Sequence, residues 1–293
     1  MPLNALDANT RAALLEMQRE EITGHHIYLQ LARSVKDEHN RNVLRRIAAE
    51  ERRHYESLRA LTGATVAPRR WRVVLYYWLS RIVGLTFGIK LLERGEEQAQ
   101  ANYDAYVERI PLLGEILAEE QAHEDELLAM LDEEALQYAG SVVLGLNDAL
   151  VELTGALAGY SLAFQNTRLI ALTGLITGIS ASLSMAASEY LSTRAEEGEQ
   201  RPLRAALYTG LAYVFTVALL VAPFLIIHHY LVCLALTLIM AVLVIAVFNY
   251  YLSVVRDENF RRRFAEMALI SLGVAALSFA IGYLVRALFG IEV

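Results

Sequence analysis

Two short motifs in the first half of the chain repeat one pairing of side chains. Glu51-Arg52-Arg53-His54 and Glu120-Gln121-Ala122-His123 each place a carboxylate three residues before an imidazole. On a helix, residues three apart share a face, so each motif offers both groups to one point. Two further stretches carry a Glu followed seven residues later by a Tyr, Glu21 with Tyr28 and Glu96 with Tyr103. Seven residues make two turns, so these pairs also share a face. Glu93, three before Glu96, points the same way. A Glu from each of two helices and a Glu-x-x-His from each of two others is the donor set of a di-metal carboxylate centre. Carboxylates with only two imidazoles suit iron or manganese better than zinc.

One Glu-x-x-His in a segment rich in Glu reads as a solvated face. Two of them, each preceded by a Glu…Tyr pair, form a loose internal repeat and favour a metal site. Glu50, Glu119 and Glu97 stand beside Glu51, Glu120 and Glu96 and compete for the same roles. His25, one turn after Glu21, is a further candidate, whereas His26 and His39 read as exposed.

The elements that must position these groups are helices. Apolar periodicity runs over 9–61, with Asp7 or Asn9 as the first cap. A turn follows at 63–68, a long helical pattern covers 72–109, and Pro111 starts a helix that reaches about residue 137. The expectation is a four-helix bundle whose last helix leads almost directly into the first membrane segment. The stretch 71–92 is apolar and aromatic nearly all round, with Arg72, Arg81 and Lys90 set in it. It reads as the core side of a helix, a dimer interface or a segment on the membrane surface.

The second half has another character. Hydrophobic residues make up 55% of the 293, and mean hydropathy is +0.34. The excess lies beyond residue 140, so the net charge of −7 and the pI near 5.6 describe neither half well. The expected domains are 1–138, soluble and carboxylate-rich, and 139–293, membrane-embedded. Five apolar stretches, at 142–164, 169–191, 203–227, 230–254 and 264–289, are each long enough to cross a bilayer core of about 30 Å as a helix. Arg194, Arg201 and Arg204 lie between the second and third, and Arg256, Arg261, Arg262 and Arg263 between the fourth and fifth. The positive-inside bias puts both loops in the cytoplasm. The first domain is then cytoplasmic and the C-terminus outside, in accord with a polar stretch 1–19 that lacks the apolar core of a secretory signal.

The spans carry polar groups as well. Asp148 and Glu152 lie one turn apart in the first, and Met185 and Glu189 one turn apart in the second. Acids at membrane depth cost several kcal/mol and favour a cation path, while Glu189 also reads as an interfacial residue. Gly155, Gly159, Gly174 and Gly178 have the spacing of close helix packing. The single cysteine, Cys233, excludes an intramolecular disulfide and a Cys-based metal site, and it reads as a small buried hydrophobe.

With these residues placed, the chain resembles two known families joined together. Residues 10–136 look like a rubrerythrin-type, ferritin-like domain, through Glu21…Tyr28, Glu51-x-x-His54, Glu93-x-x-Glu96 and Glu120-x-x-His123. Residues 140–290 are similar to the vacuolar iron transporter family, through Gly145-Leu146-Asn147-Asp148-Ala149-Leu150 and the stretch from Leu183-Ser184-Met185 to Glu189-Tyr190-Leu191-Ser192. The combination resembles the membrane-bound ferritin-like fusion proteins of prokaryotes. That resemblance implies an all-α chain, a ferritin-like four-helix bundle followed by five transmembrane helices. It implies a di-iron centre at Glu21, Glu51, His54, Glu93, Glu96 or Glu97, Glu120 and His123, with Tyr28 and Tyr103 close by and manganese as the other metal to consider. It further implies a homodimer in the inner (cytoplasmic) membrane that exports Fe²⁺ from the cytoplasm against protons, with Asp148 and Met185 lining the path. Thr177 stands eight before Met185, where some transporters have a Glu. Two alternatives remain: a membrane-anchored ferroxidase or peroxide scavenger without transport, and a manganese exporter.

Overall fold

Asp7 accepts the backbone N–H of Thr10 at 2.8 Å and caps α1, Ala8–Ser34. A capping carboxylate satisfies one of the amide groups that a helix start leaves without a partner. Asp37 repeats the device on Asn40 and starts α2, Glu38–Thr62, so the periodic stretch 9–61 divides at residues 35–37. Gly63 ends α2 with a left-handed φ of 64°, a conformation that suits glycine because it has no Cβ. The computed structural model describes residues 7–100, 104–107, 109–130, 133–196 and 201–289.

The pattern over 72–109 predicts one long helix, and the structure divides it into α3 (Arg70–Ile82), α4 (Leu85–Gln100) and α5 (Asp104–Val107). The first break is Gly84, at φ 118°, where the chain turns and lets α3 pack against α4. Periodicity reports which face is apolar; it does not register one residue that leaves the helical backbone. Pro111 opens α6, Pro111–Met130, at a position where its missing N–H costs nothing.

The chain forms two compact units, Met1–Asp132 and Glu133–Val293. In the first, α1 packs on α2 and α3, while α2 and α4 pack on α6. Leu31, Leu44, Ile47, Ile89 and Leu92 are essentially inaccessible between them. Burying each such side chain contributes about 1.5–3 kcal/mol. Arg69 bridges to Glu16 and Glu20, and Arg72 also reaches Glu20, tying the start of α3 to α1.

The second unit holds α7 (Glu133–Phe164), α8 (Thr167–Ala195), α9 (Pro202–Ile226), α10 (Tyr230–Val255) and α11 (Phe260–Phe289). Each contains a run long and apolar enough to cross a membrane, at Tyr138–Phe164, Thr167–Ala195, Pro202–Ile226, Tyr230–Val255 and Phe260–Val285. Helix α7 packs against the other four. Gly159 and Gly282 bring the backbones of α7 and α11 together so closely that a Cβ on Gly282 would strike the Gly159 carbonyl. Thr209 donates to the Ser141 carbonyl, Thr237 to that of Leu220 and Ser271 to that of Leu150, at 2.8–2.9 Å, so polar side chains also join the helices. Cys233 is buried, with its Sγ 3.4 Å from the carbonyls of Pro223 and Ile227. Among the described residues, all regular structure is α-helix.

Candidate metal centre

Two turns of α2 and two of α6 face each other in the first unit. Each carries the same five-residue string, Glu50-Glu51-x-x-His54 and Glu119-Glu120-x-x-His123. The second Glu and the His of each string point inward, joined by Glu21 from α1. Glu21, Glu51, His54 and His123 are all buried. Two groups of side chains could hold a metal ion, Glu21 with His54 and Glu120, and Glu51 with Glu120 and His123. Glu120 belongs to both: its Oε1 lies 3.0 Å from His54 Nδ1, and its Oε2 lies 3.7 Å from His123 Nδ1. The two imidazoles are stacked with centroids 6.0 Å apart.

The outer nitrogens are held by the Glu residues that the sequence offers as competitors. His54 Nε2–H donates to Glu119 at 2.6 Å, and His123 Nε2–H donates to Glu50 at 2.7 Å. Each helix thus steadies the imidazole of the other. Outer carboxylates of this kind fix a ligand ring's tautomer and orientation. In the sequence alone Glu50 and Glu119 are competitors of Glu51 and Glu120. The doubled Glu-Glu-x-x-His string was the signal that all four acids have a place.

Burial pushes Glu21 up to about 7, against the lowering effect of its bond to His54. Burial, and then the charges of Glu120 and Glu21, raise Glu51 and Glu96 well above the usual carboxylate range. Burial alone would lower His54, yet its bonds to Glu120 and Glu21 push it up to about 10. Burial would likewise raise Glu120, but the neighbouring His123 and His54 hold it down at about 2. The environment thus favours the protonated forms of Glu21, Glu51, Glu96 and His54 and the charged form of Glu120.

The donor chemistry is that of a site for divalent metal. Glu51 Oε1 and His123 Nδ1 are buried without a hydrogen-bond partner and lie 3.7 Å apart. That gap is too long for a hydrogen bond. It suits two ligands of one ion, because metal bonds of about 2.0–2.2 Å to nitrogen and oxygen place neighbouring donors roughly 3–4 Å apart. Glu93 and Glu96 line a small cavity with Tyr28, Glu120 and His123, and Tyr28 donates to Glu96 at 3.4 Å. These two acids sit beside the triads without belonging to either. The Glu97 side chain and Tyr103 lie outside the described residues. His25 does not join the site; its Nδ1 is 2.5 Å from the Ala48 carbonyl. Gly24 is a contributor that pattern reading missed, since a Cβ there would stand 2.7 Å from Glu51 Oε2.

In the second unit the four polar span residues are more dispersed. Asp148 is half-buried, and Glu152, on the exposed side of α7, accepts the Tyr213 hydroxyl at 2.9 Å. Met185 is half-buried against the apolar core. Glu189 accepts the Ser141 hydroxyl at 2.6 Å, joining α8 to α7. Thr177 is 3.2 Å from the Tyr160 hydroxyl, again between α8 and α7. A cleft of about 570 Å³ between α7, α10 and α11 is lined by Asn147, Asn249, Glu266 and Met267, among others. Among the described residues, the groups of three or more acidic, His or Cys side chains close enough to hold a metal are the two in the first unit.

Residues 139–200 match the VIT family. No curated protein and no solved structure matches the chain. The matched stretch covers most of α7 and all of α8, and together with five helices long and apolar enough to cross a membrane it supports a VIT-type membrane domain in the second unit.

Proposed function

We propose that this chain exports ferrous iron across the inner (cytoplasmic) membrane, and that its first unit is a cytoplasmic ferritin-like, rubrerythrin-type domain with a di-iron centre. The observation that carries the reading is Glu120, shared by two metal-sized triads in a chain whose residues 139–200 match the VIT family. Iron is the cargo of the membrane domain, and protons are the counter-ion of the proposal. The working form is a homodimer with the first unit in the cytoplasm and the C-terminus outside. The arginines between α8 and α9 and between α10 and α11 support that orientation.

In the first unit, Glu21, Glu51, His54, Glu120 and His123 hold the ions, with Glu93 and Glu96 closing the side lined by Tyr28. A bound iron pair would supply oxidation of Fe²⁺ or reaction with peroxide. The protein's own part is positional: Glu119 and Glu50 keep the imidazoles turned inward, and Gly24 leaves room for the Glu51 carboxylate. In the second unit, Asp148, Glu152, Met185 and Glu189 supply carboxylates and one thioether along α7 and α8. Such a mixed set binds a borderline cation and releases it.

The test is Fe²⁺ flux into proteoliposomes loaded with a metal-sensitive dye, for wild type and Asp148→Asn. The expected outcome is loss of most flux in the variant; an undiminished rate removes Asp148 from the path. Competition between Fe²⁺ and Mn²⁺ in the same assay separates an iron exporter from a manganese exporter, which the same ligand types would serve. One observation favours a second reading, a membrane-anchored ferroxidase or peroxide scavenger: among the described residues, the metal-sized clusters all lie outside the spans. That reading requires peroxide consumption dependent on Glu51 and Glu120 with no ion flux.

A further inference from the structure

Among the described residues, helix α3 is held on one side only. Tyr76 is buried, with its hydroxyl donating to the Leu91 carbonyl at 3.4 Å, and the helix packs on α1 and α4. Its other side is apolar and open. Trp71, Val74, Leu75, Trp78 and Ile82 are exposed by 67%, 56%, 43%, 54% and 76%. Spacings of three, four and seven put them on one stripe of the helix. An exposed stripe that includes two tryptophans is outside the ordinary composition of a water-facing surface.

The charges around the stripe are of one sign. From Glu56 to Glu93 the chain has no acidic residue between, yet it has Arg59, Arg69, Arg70, Arg72, Arg81 and Lys90. Arg69 and Arg72 face α1, where Glu16 and Glu20 meet them, whereas Arg70 and Arg81 are exposed at the two ends of the stripe. This concentration of positive charge stands in a chain of net charge −7.

We infer that α3 is an interfacial helix, which lays Trp71, Trp78 and Ile82 into the surface of an anionic bilayer with Arg70 and Arg81 on its headgroups. Indole rings favour the headgroup level, where one edge is apolar and the other wet. Basic residues beside such a stripe add attraction to anionic lipid. The same chain supplies the bilayer, because its five apolar helices follow on from this unit. A second copy of the chain is the poorer occupant. A two-fold interface sets each patch against itself, and here it would bring arginine toward arginine with no acid on the patch to receive either.

The sequence provides its own probe, since Trp71 and Trp78 are the chain's two tryptophans. The experiment uses the full-length protein in nanodiscs of phosphatidylcholine and phosphatidylglycerol, with iodide as aqueous quencher and brominated lipid as membrane quencher. A helix seated about 5–10 Å into the headgroup boundary loses about half of its tryptophan emission to brominated lipid and is shielded from iodide. The shielding weakens when phosphatidylglycerol is omitted or when Arg70→Glu and Arg81→Glu are combined. Full iodide quenching with no effect of bromine shows a water-facing helix and overturns the proposal. Protection from both quenchers shows a protein partner on the stripe and also overturns it. The exposed variant Trp71→Phe leaves Trp78 alone to report, so the reading does not depend on one residue.

Discussion

Glu119 of α6 accepts the outer N–H of His54 on α2 at 2.6 Å, and so decides which nitrogen of that ring faces the pocket. With Nε2 committed, Nδ1 is left toward Glu21 and Glu120. Glu50 treats His123 in the same way from the opposite helix. The half-exposed Glu119 is tied to the candidate metal site through this bond, although its own carboxylate stands outside both triads. Replacing Glu119 with Gln keeps its size and removes its charge. Metal affinity of the full-length protein is expected to fall about 10- to 100-fold, the usual effect of losing an outer partner of a ligand histidine. Anaerobic titration with Fe²⁺ or Mn²⁺ reads this directly. An unchanged affinity would make Glu119 an ordinary surface acid.

Gly24 separates stability from binding. A Cβ at this position would press on Glu51 Oε2 at 2.7 Å, and that oxygen is the movable end of a side chain. Gly24→Ala should therefore raise the stability of the metal-free protein by up to about 1 kcal/mol, as helix glycines replaced by alanine commonly do. It should also weaken metal binding by turning Glu51 aside. Thermal unfolding with and without metal gives both numbers. A variant that binds as wild type does would show that Glu51 is not a ligand.

Metal and protons compete for the same atoms. Burial pushes Glu21 up to about 7 and raises Glu51 well above the usual carboxylate range, so both favour the protonated form in weakly acidic solution. His54, held up at about 10 by its acidic partners, is charged at neutral pH. Metal binding needs all three deprotonated, so loading releases protons and affinity rises with pH, by about one log unit per pH unit for each proton displaced. Calorimetry in buffers of different ionisation enthalpy counts those protons. Loading without proton release would contradict the placement of the ions among these residues.

Much of this architecture is legible in the sequence because lipid is an exacting solvent. A span must be apolar over its whole crossing length, so the stretch expected at 230–254 becomes Tyr230–Val255 and that at 142–164 becomes Tyr138–Phe164. The first unit was harder. The break at Gly84 depends on one backbone angle, and apolar periodicity continues through it on both sides. Near the metal centre, three-residue spacing identified which acids share a face with His54 and His123. It did not say that Glu50 and Glu119 bond the outer nitrogens across the helix pair, because that depends on the register of α2 against α6. His25 has the right spacing from Glu21, yet the Ala48 carbonyl takes its ring nitrogen.

In the membrane unit, Tyr213 is fully buried and its hydroxyl donates to Glu152. Tyr213→Phe removes one hydrogen bond, worth about 1 kcal/mol, and leaves the packing of α7 on α9 intact. Flux in proteoliposomes is expected to change while the folded yield does not. Unaltered transport would place Glu152 outside the ion path.

The most direct measurement is anomalous diffraction at the iron and manganese edges from crystals loaded anaerobically with each metal. The account predicts two peaks in the first unit, one on either side of Glu120, with His54 nearest one and His123 nearest the other. Crystals with no peak there, and with Glu51, His54, Glu120 and His123 turned toward bulk water, would contradict it.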